Sequence, residues 1–291
     1  MKFNDLCELI KRLSVTQPFQ EAGKTLEKTI FACSHDEFLP LITEVGIIPE
    51  HIVHDSTEEK LYSKASDIVL AKCFHEVGLK SLVLRERSNS ADVEAVSRFH
   101  NYSLVGDAKS FRLSRTAKNQ KDFKVESMAH WRGDNDYAVL VCPYFQYPKS
   151  ISQIYGQALN NNIALFSWEY FFILIKNDIK ETEKINLSSL WTQSEFIGRD
   201  TTVADKNNCF FPQQNKNFCE CIKLSDKIFA EQMSTFKQSI IERGEAEIDY
   251  WRQRIETIKM YSKQQAITEL IYALKLNEKI NAIIKFTDSL R

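Results

Sequence analysis

The sequence predicts a mixed α/β fold, a central sheet flanked by helices, with helical additions at both ends of a 291-residue chain. Three observations carry this prediction. Between residues 79 and 178, runs of strand length alternate with helical patterns, the signature of an α/β core. On either side, apolar residues recur at spacings of three and four, as on one face of a helix. No glycine-rich or proline-rich linker separates the parts, and the 8 Gly and 6 Pro are few, so the expectation is a single domain over 1–291: helical scaffold 1–78, catalytic core 79–178 and a mainly helical extension 179–291.

In the scaffold, Leu6, Ile10 and Leu13, then Phe38, Leu41 and Ile42, hold helical spacing. The core opens with the apolar run Leu82-Val83-Leu84. Asp92 to Val96 alternates with period two, and Tyr102 to Lys109 reads as a second strand, joined to the first by the polar turn Arg98 to Asn101 as in a hairpin. Tyr137 to Cys142 is apolar throughout, as in a strand buried on both faces. Ser150 with Gln153 has the form of a capping box, Ile163 to Phe166 is a further strand, and Ser167 with Glu169 starts a helix. Asn186 to Phe218, rich in Asn, Gln, Thr and Ser, is the least structured-looking stretch. Beyond it, Ile248, Trp251, Ile255 and Ile258 form a 3-4-3 stripe, a face packed on the core or on a second subunit, and Ser262 with Gln265 is another capping box.

Composition narrows the function. Hydrophobic residues make up 43% and charged residues 26%, the profile of a folded globular protein. No G-x-G-x-x-G occurs, and seven scattered cysteines without a C-x-x-C pair suit a reducing compartment. The opening residues lack an apolar signal segment and no run is long enough to span a membrane, so a cytoplasmic protein is expected. Gly23-Lys24-Thr25 imitates the end of a phosphate-binding loop, but Pro18 stands where its first Gly is required. Cys219-x-Cys221 lacks a His partner at zinc-site spacing. The formal net charge of -1 counts against a protein that holds nucleic acid by uniform positive charge.

Charge is concentrated locally, however, beside residues suited to a metal. A hairpin brings Asp92 at the start of one strand towards Asp107 at the end of the other. Residues two apart on a strand share a face, so Asp107 and Lys109 project together while Ala108 turns away and offers its carbonyl. Two carboxylates and a carbonyl make an all-oxygen site that fits Mg²⁺ better than zinc. A cation there could polarise a phosphodiester, with Lys109 orienting or helping to deprotonate the attacking water. Acid, acid-x-lysine and mixed sheet together form the PD-(D/E)xK nuclease pattern, although an acid-x-lysine triplet also arises as an ordinary ion pair. From Lys109 onward a basic residue falls every third position, Arg112, Arg115, Lys118, Lys121 and Lys124, giving six basic against two acidic residues between 107 and 124, a balance of +4. Steps of three cannot keep to one helical stripe, so a wrapping arm is expected, with Ser110, Ser114, Thr116, Asn119 and Gln120 interleaved for phosphates and base edges. Asn119 is the candidate for adenine and Lys121 for guanine; Arg112, Arg115 and Lys118 are candidates for phosphate.

The run from Asp107 to Lys124 resembles the catalytic and recognition segment of the HindIII-type restriction endonucleases. Further resemblance lies in Glu59 to Ala65, Asp67 to Lys72, Asp136 to Leu140, Phe145 to Pro148 and Leu165 to Glu169, over roughly residues 45 to 175. The resemblance implies an EcoRI-like fold and a Mg²⁺-dependent type II endonuclease, with two ions per active site. It implies a homodimer that cuts double-stranded DNA at the palindrome AAGCTT to leave a 5′ overhang, and a separate DNA methyltransferase to protect the bacterial host. Asp92, Asp107 and Lys109 would carry the core roles, with Asp92, Asp107, Ala108 and Asp122 around the metal. Glu86 is the candidate for an upstream catalytic glutamate, and Ser110, Arg112, Arg115, Lys118, Asn119, Lys121 and Lys124 would contact DNA. Two alternatives remain open at this point: a PD-(D/E)xK nuclease with another target, and a DNA-binding protein with a dead site.

Overall fold

In the computed structural model, residues 1–84, 90–115, 120–148, 152–192 and 203–288 are described, by backbone alone at 203–209 and 286. Four helices come first: α1 (Phe3–Thr16), α2 (Phe19–Phe31), α3 (His35–Glu44) and α4 (Thr57–Glu76). Leu6, Ile10 and Leu13 of α1 and Phe38, Leu41 and Ile42 of α3 are buried, as their spacing requires. Ser34 and Glu37 close a capping box on α3, and the Ser56 hydroxyl accepts from the Glu59 amide at the start of α4. Helix α4 differs from the other three, being buried without interruption from Ala65 to Phe74. It is the central helix of the scaffold.

The sheet contains β1 (Lys80–Val83), β2 (Val93–Val96), β3 (Ser103–Ala108), β4 (Tyr137–Cys142) and β5 (Ile163–Ser167). Strand order follows the chain, with β1-β2 and β2-β3 antiparallel and β3-β4 and β4-β5 parallel. A mixed sheet was the sequence expectation. Between strands lie α5 (Gln120–Phe123), α6 (Val125–Trp131) and α7 (Gln153–Asn161), and α8 (Trp168–Lys176) follows β5. One face of the sheet, carrying Val93, Leu104, Val139 and Ala164, packs on α4 and α8 through Leu70, Phe74 and Phe171. The other, carrying Val105, Leu140 and Leu165, packs on α6 and α7 through Met128, Ile154 and Ala158. Covered on both faces, β4 needs the unbroken apolar run that its sequence shows.

Several local expectations change. The stretch 186–218 includes most of a regular helix, α9 (Val203–Ile222), because Phe210 and Phe218 are buried at helical spacing and Gln214 donates to the Leu165 carbonyl at 2.7 Å. Its polar residues hid this apolar side. The basic arm is not one extended wrap either: Gln120–Phe123 and Val125–Trp131 are short helices meeting at Lys124, whose φ is 53°. Phe123, Val125 and Met128 bury that part of the arm. Helix α7 has Ser152 at its N-cap position, whereas Ser150 lies outside the described residues.

The chain divides into two compact units, Met1–Ile241 and Glu242–Arg291. The remaining helices are α10 (Asp226–Lys259), α11 (Lys263–Ala273) and α12 (Leu276–Asp288), and the expected Ser262–Gln265 capping box heads α11. Within the second unit, Arg254 bridges to Glu269 and donates to the Tyr261 hydroxyl. The stripe of Ile248, Trp251, Ile255 and Ile258 is exposed rather than packed on a core. No helix among the described residues is long and apolar enough to cross a membrane.

Candidate functional site

The site grows from the β2-β3 hairpin. Its turn is held by Ser97, whose hydroxyl accepts from the amides of Phe99 and His100, and by Asn101 in the left-handed region at φ 49°. The register pairs Val93 with Gly106, and the Asp92 amide donates to the Gly106 carbonyl at 3.2 Å. One step further, Asp92 stands opposite Asp107, and cross-strand neighbours in such a pair are about 5 Å apart at Cβ. There β2 ends, while β3 continues beside β4 through Ala108 and the Lys109 amide, which donates to Val141 at 2.7 Å. Backbone groups of successive strand residues point to alternate sides. The Ala108 carbonyl therefore points as that of Gly106 does, towards the side that β2 has vacated.

Asp107 is only 2% exposed and is ion-paired with Lys109. Burial, followed by a hydrogen bond with Asp107 and the charge of Asp107, pushes the Asp92 carboxyl up to about 8. Burial draws Lys109 down, but Asp107, Asp92 and a further carboxylate, Asp67, outweigh it and hold the ammonium above its ordinary value. Asp107 Oδ2 is buried beside Lys109 yet has no hydrogen bond of normal geometry. Closely held carboxylates and a backbone carbonyl form an all-oxygen donor set, which suits a hard divalent cation such as Mg²⁺.

Of the other sequence candidates, several turn inward. Ser110 accepts from or donates to Ser66 at 2.9 Å and donates to the Val45 carbonyl. Arg112 bridges to Glu59 at 2.6 Å and donates to Pro49, and Ser114 is bound twice by Glu50. Arg115 forms an ion pair with Asp122. The charges that act most strongly on Asp67, Asp92 and Lys109 are one another's and those of Asp107 and Lys64. Lys121 and Lys124 are exposed, with Lys124 over the Trp131 ring. Glu86, Lys118 and Asn119 lie outside the described residues.

Sequence reasoning missed Asp67 and Lys64, both on α4. Burial and, second, the charge of Asp92 raise the Asp67 carboxyl well above the usual range. An acid beside the apolar run Ile68 to Ala71 was a signal available in the sequence. Another acidic group, His54, Asp55 and Glu59, gathers at the surface, but Glu59 is engaged by Arg112.

The family model of the HindIII restriction endonucleases matches residues 4–287. The type II restriction enzyme HindIII of Haemophilus influenzae is 42% identical over 286 residues, covering 98% of this chain and 95% of that protein. Similarity therefore reaches well beyond the 45–175 span noticed in the sequence. Among solved structures, restriction endonuclease FokI is similar with a TM-score of 0.36 and 14% identity, over 59% of this chain and 33% of that one.

Proposed function

This chain belongs to the HindIII restriction endonuclease family, and we propose that it hydrolyses phosphodiesters of double-stranded DNA at the palindrome AAGCTT, leaving a 5′ overhang. The observation that carries this reading is the fork between β2 and β3, where Asp92, Asp107, the Ala108 carbonyl and the Lys109 ammonium converge.

Asp92, Asp107 and the Ala108 carbonyl would hold Mg²⁺, two ions per site. When bound, Mg²⁺ supplies polarisation of the scissile phosphate and a more acidic water. Lys109 stays protonated beside Asp107, so it acts as a donor: it orients the attacking water and offsets the negative charge that builds on the phosphate oxygens. Asp122, ion-paired with Arg115, is kept as a further acidic residue near the metal, and Glu86 as the upstream glutamate. Arg115, Lys118 and Lys124 contact phosphates, while Asn119 and Lys121 read adenine and guanine through the donor and acceptor pattern of the major groove.

A palindrome is read by a twofold-symmetric protein, so the active species is a homodimer with one site per strand. It works in a bacterial cytoplasm beside a separate methyltransferase. Digestion of a plasmid with a single AAGCTT, with Mg²⁺ and sequencing of the ends, tests the reading. One linear product with 5′ overhangs at that site is expected; random fragments, or no cleavage, would overturn it.

A further inference from the structure

The unit Glu242–Arg291 leaves large apolar side chains uncovered. In α10, Ile248, Trp251, Ile255 and Ile258 are each 42% to 52% exposed. Beyond it, no described side chain from Ser262 onward is buried. Yet Ile267, Leu270, Ile271 and Leu274 share one helical face, and Leu276, Ile280, Ile283 and Ile284 share another. Helices of 11 and 13 residues are marginal in water by themselves and owe their stability to the packing of such faces. Fourteen large apolar side chains of this unit are at least a third exposed, well beyond the scattered residues of an ordinary surface. A specific interface takes about 800 Å² from each partner, and an apolar surface of this extent is on that scale.

Charge and spacing select the occupant. Between residues 242 and 291 nine Lys and Arg stand against eight Asp and Glu, with the signs interleaved. That balance of +1 offers little to a polyanion such as DNA or to an acidic membrane. Ile248, Trp251, Ile255 and Ile258 instead fall on the a, d, a and d positions of a heptad repeat, the seam by which helix packs on helix. Asp249, Gln253, Glu256 and Thr257 keep the outward positions polar. Beside the seam, Glu245 and Arg252 occupy e positions, and Glu247 and Arg254 occupy g positions. In an antiparallel pair of helices e flanks e and g flanks g. With Ile248 across from the partner's Trp251, Glu245 faces the partner's Arg252 and Glu247 faces the partner's Arg254, each pair occurring twice about the twofold axis. All four pairs join opposite signs, whereas a parallel pair in register would set Arg254 beside the partner's Lys259. Glu245 and Arg252 are exposed; Glu247 and Arg254 also have partners in their own copy, Arg243 and Glu269.

We propose that Glu242–Arg291 docks on the same unit of a second copy of this chain, with the two α10 segments antiparallel about an axis between Ile248 and Trp251. The choice of a second copy rests in part on the homodimeric nuclease reading, and deepens it by naming the surface that joins the two copies. The catalytic strands take no part in this contact.

Analytical ultracentrifugation of the full-length protein over a concentration series tests the proposal. Ile248→Glu combined with Ile255→Glu should raise the dimer dissociation constant by about 100-fold or more. Both positions are exposed in a single copy, so the variant keeps its fold, checked by circular dichroism. A charge exchange tests the register. Glu245→Arg and Arg252→Glu should each weaken the dimer by about tenfold, and the double variant should return to within about threefold of the wild type. A wild type that is monomeric at every concentration, a dimer that the seam variant leaves intact, or single exchanges that the double variant does not rescue would each overturn the proposal. A wild type that dimerises through this seam but leaves AAGCTT uncut would overturn the nuclease reading alone.

Discussion

Ser66 and Ser110 share a hydrogen bond of 2.9 Å although 44 positions separate them in the chain. It joins α4 to the segment just past Lys109, and Ser110 passes the connection on to the Val45 carbonyl. A residue that sequence reasoning gave to the DNA surface is thereby part of the frame around the site. Ser110→Ala should lower unfolding free energy by about 1 kcal/mol, the worth of a part-buried hydrogen bond. Its DNA affinity should keep the wild-type salt dependence, checked by denaturant titration and by binding at several ionic strengths.

Gly106 has no room for a side chain. A methyl group there would press on Phe74 and Leu70, and neither ring nor branched chain can withdraw in a packed interior. Gly106→Ala should cost about 1 to 3 kcal/mol of stability and lower cleavage further by shifting α4 against Asp107. Thermal melting beside single-turnover cleavage would measure both effects.

Removing chemistry without removing binding should be possible at the fork. Lys109→Ala and Asp107→Asn leave the basic residues from Arg112 to Lys124 in place, so specific DNA binding should survive while cleavage falls by about 10² to 10³-fold or more. Gel-shift and cleavage assays on one duplex would separate the two. Loss of binding in step with cleavage would return these residues to a structural role.

The basic residues of the arm should divide into two groups. Arg112 is held inside by Glu59 and Pro49, so Arg112→Ala should destabilise the free protein by about 3 kcal/mol through the abandoned Glu59. Lys121→Ala should leave the melting temperature nearly unchanged and reduce the slope of log affinity against log salt by about 1.

Glu169 supplies a pH signature of stability. Burial pushes its carboxyl up to about 7, although the Tyr144 amide donates to it at 2.9 Å. A folded-state value above the unfolded one means that the folded protein binds the proton more tightly. Its contribution is therefore present below about pH 4.5 and is lost as pH rises through about 7. Relative to Glu169→Gln, wild-type stability should fall by roughly 3 kcal/mol across that window, read from urea unfolding at a series of pH values. Parallel curves for the two proteins would disprove it.

Local pattern made much of the core legible. β4 and β5 could be read because strands covered on both faces must be apolar at every position, and the hairpin because a polar turn separates two alternating runs. Helix α9 escaped because only Phe210, Gln214 and Phe218 mark its packed side among many amides. In the site, Asp107-Ala108-Lys109 could be read because both chemical groups share one strand, and strand period alone sets them side by side.

The sequence by itself determined the mixed sheet, the Asp92–Asp107–Lys109 triad as candidates and the family, since each depends on residues near one another in the chain or on a continuous motif. Tertiary structure alone decided that Arg112 and Ser110 face the scaffold and that Asp122 pairs with Arg115. Those outcomes depend on how α4 packs across β3. That packing follows from Gly106 leaving space for Leu70 and Phe74, a long-range fit between side-chain volumes with no periodicity along the chain to announce it.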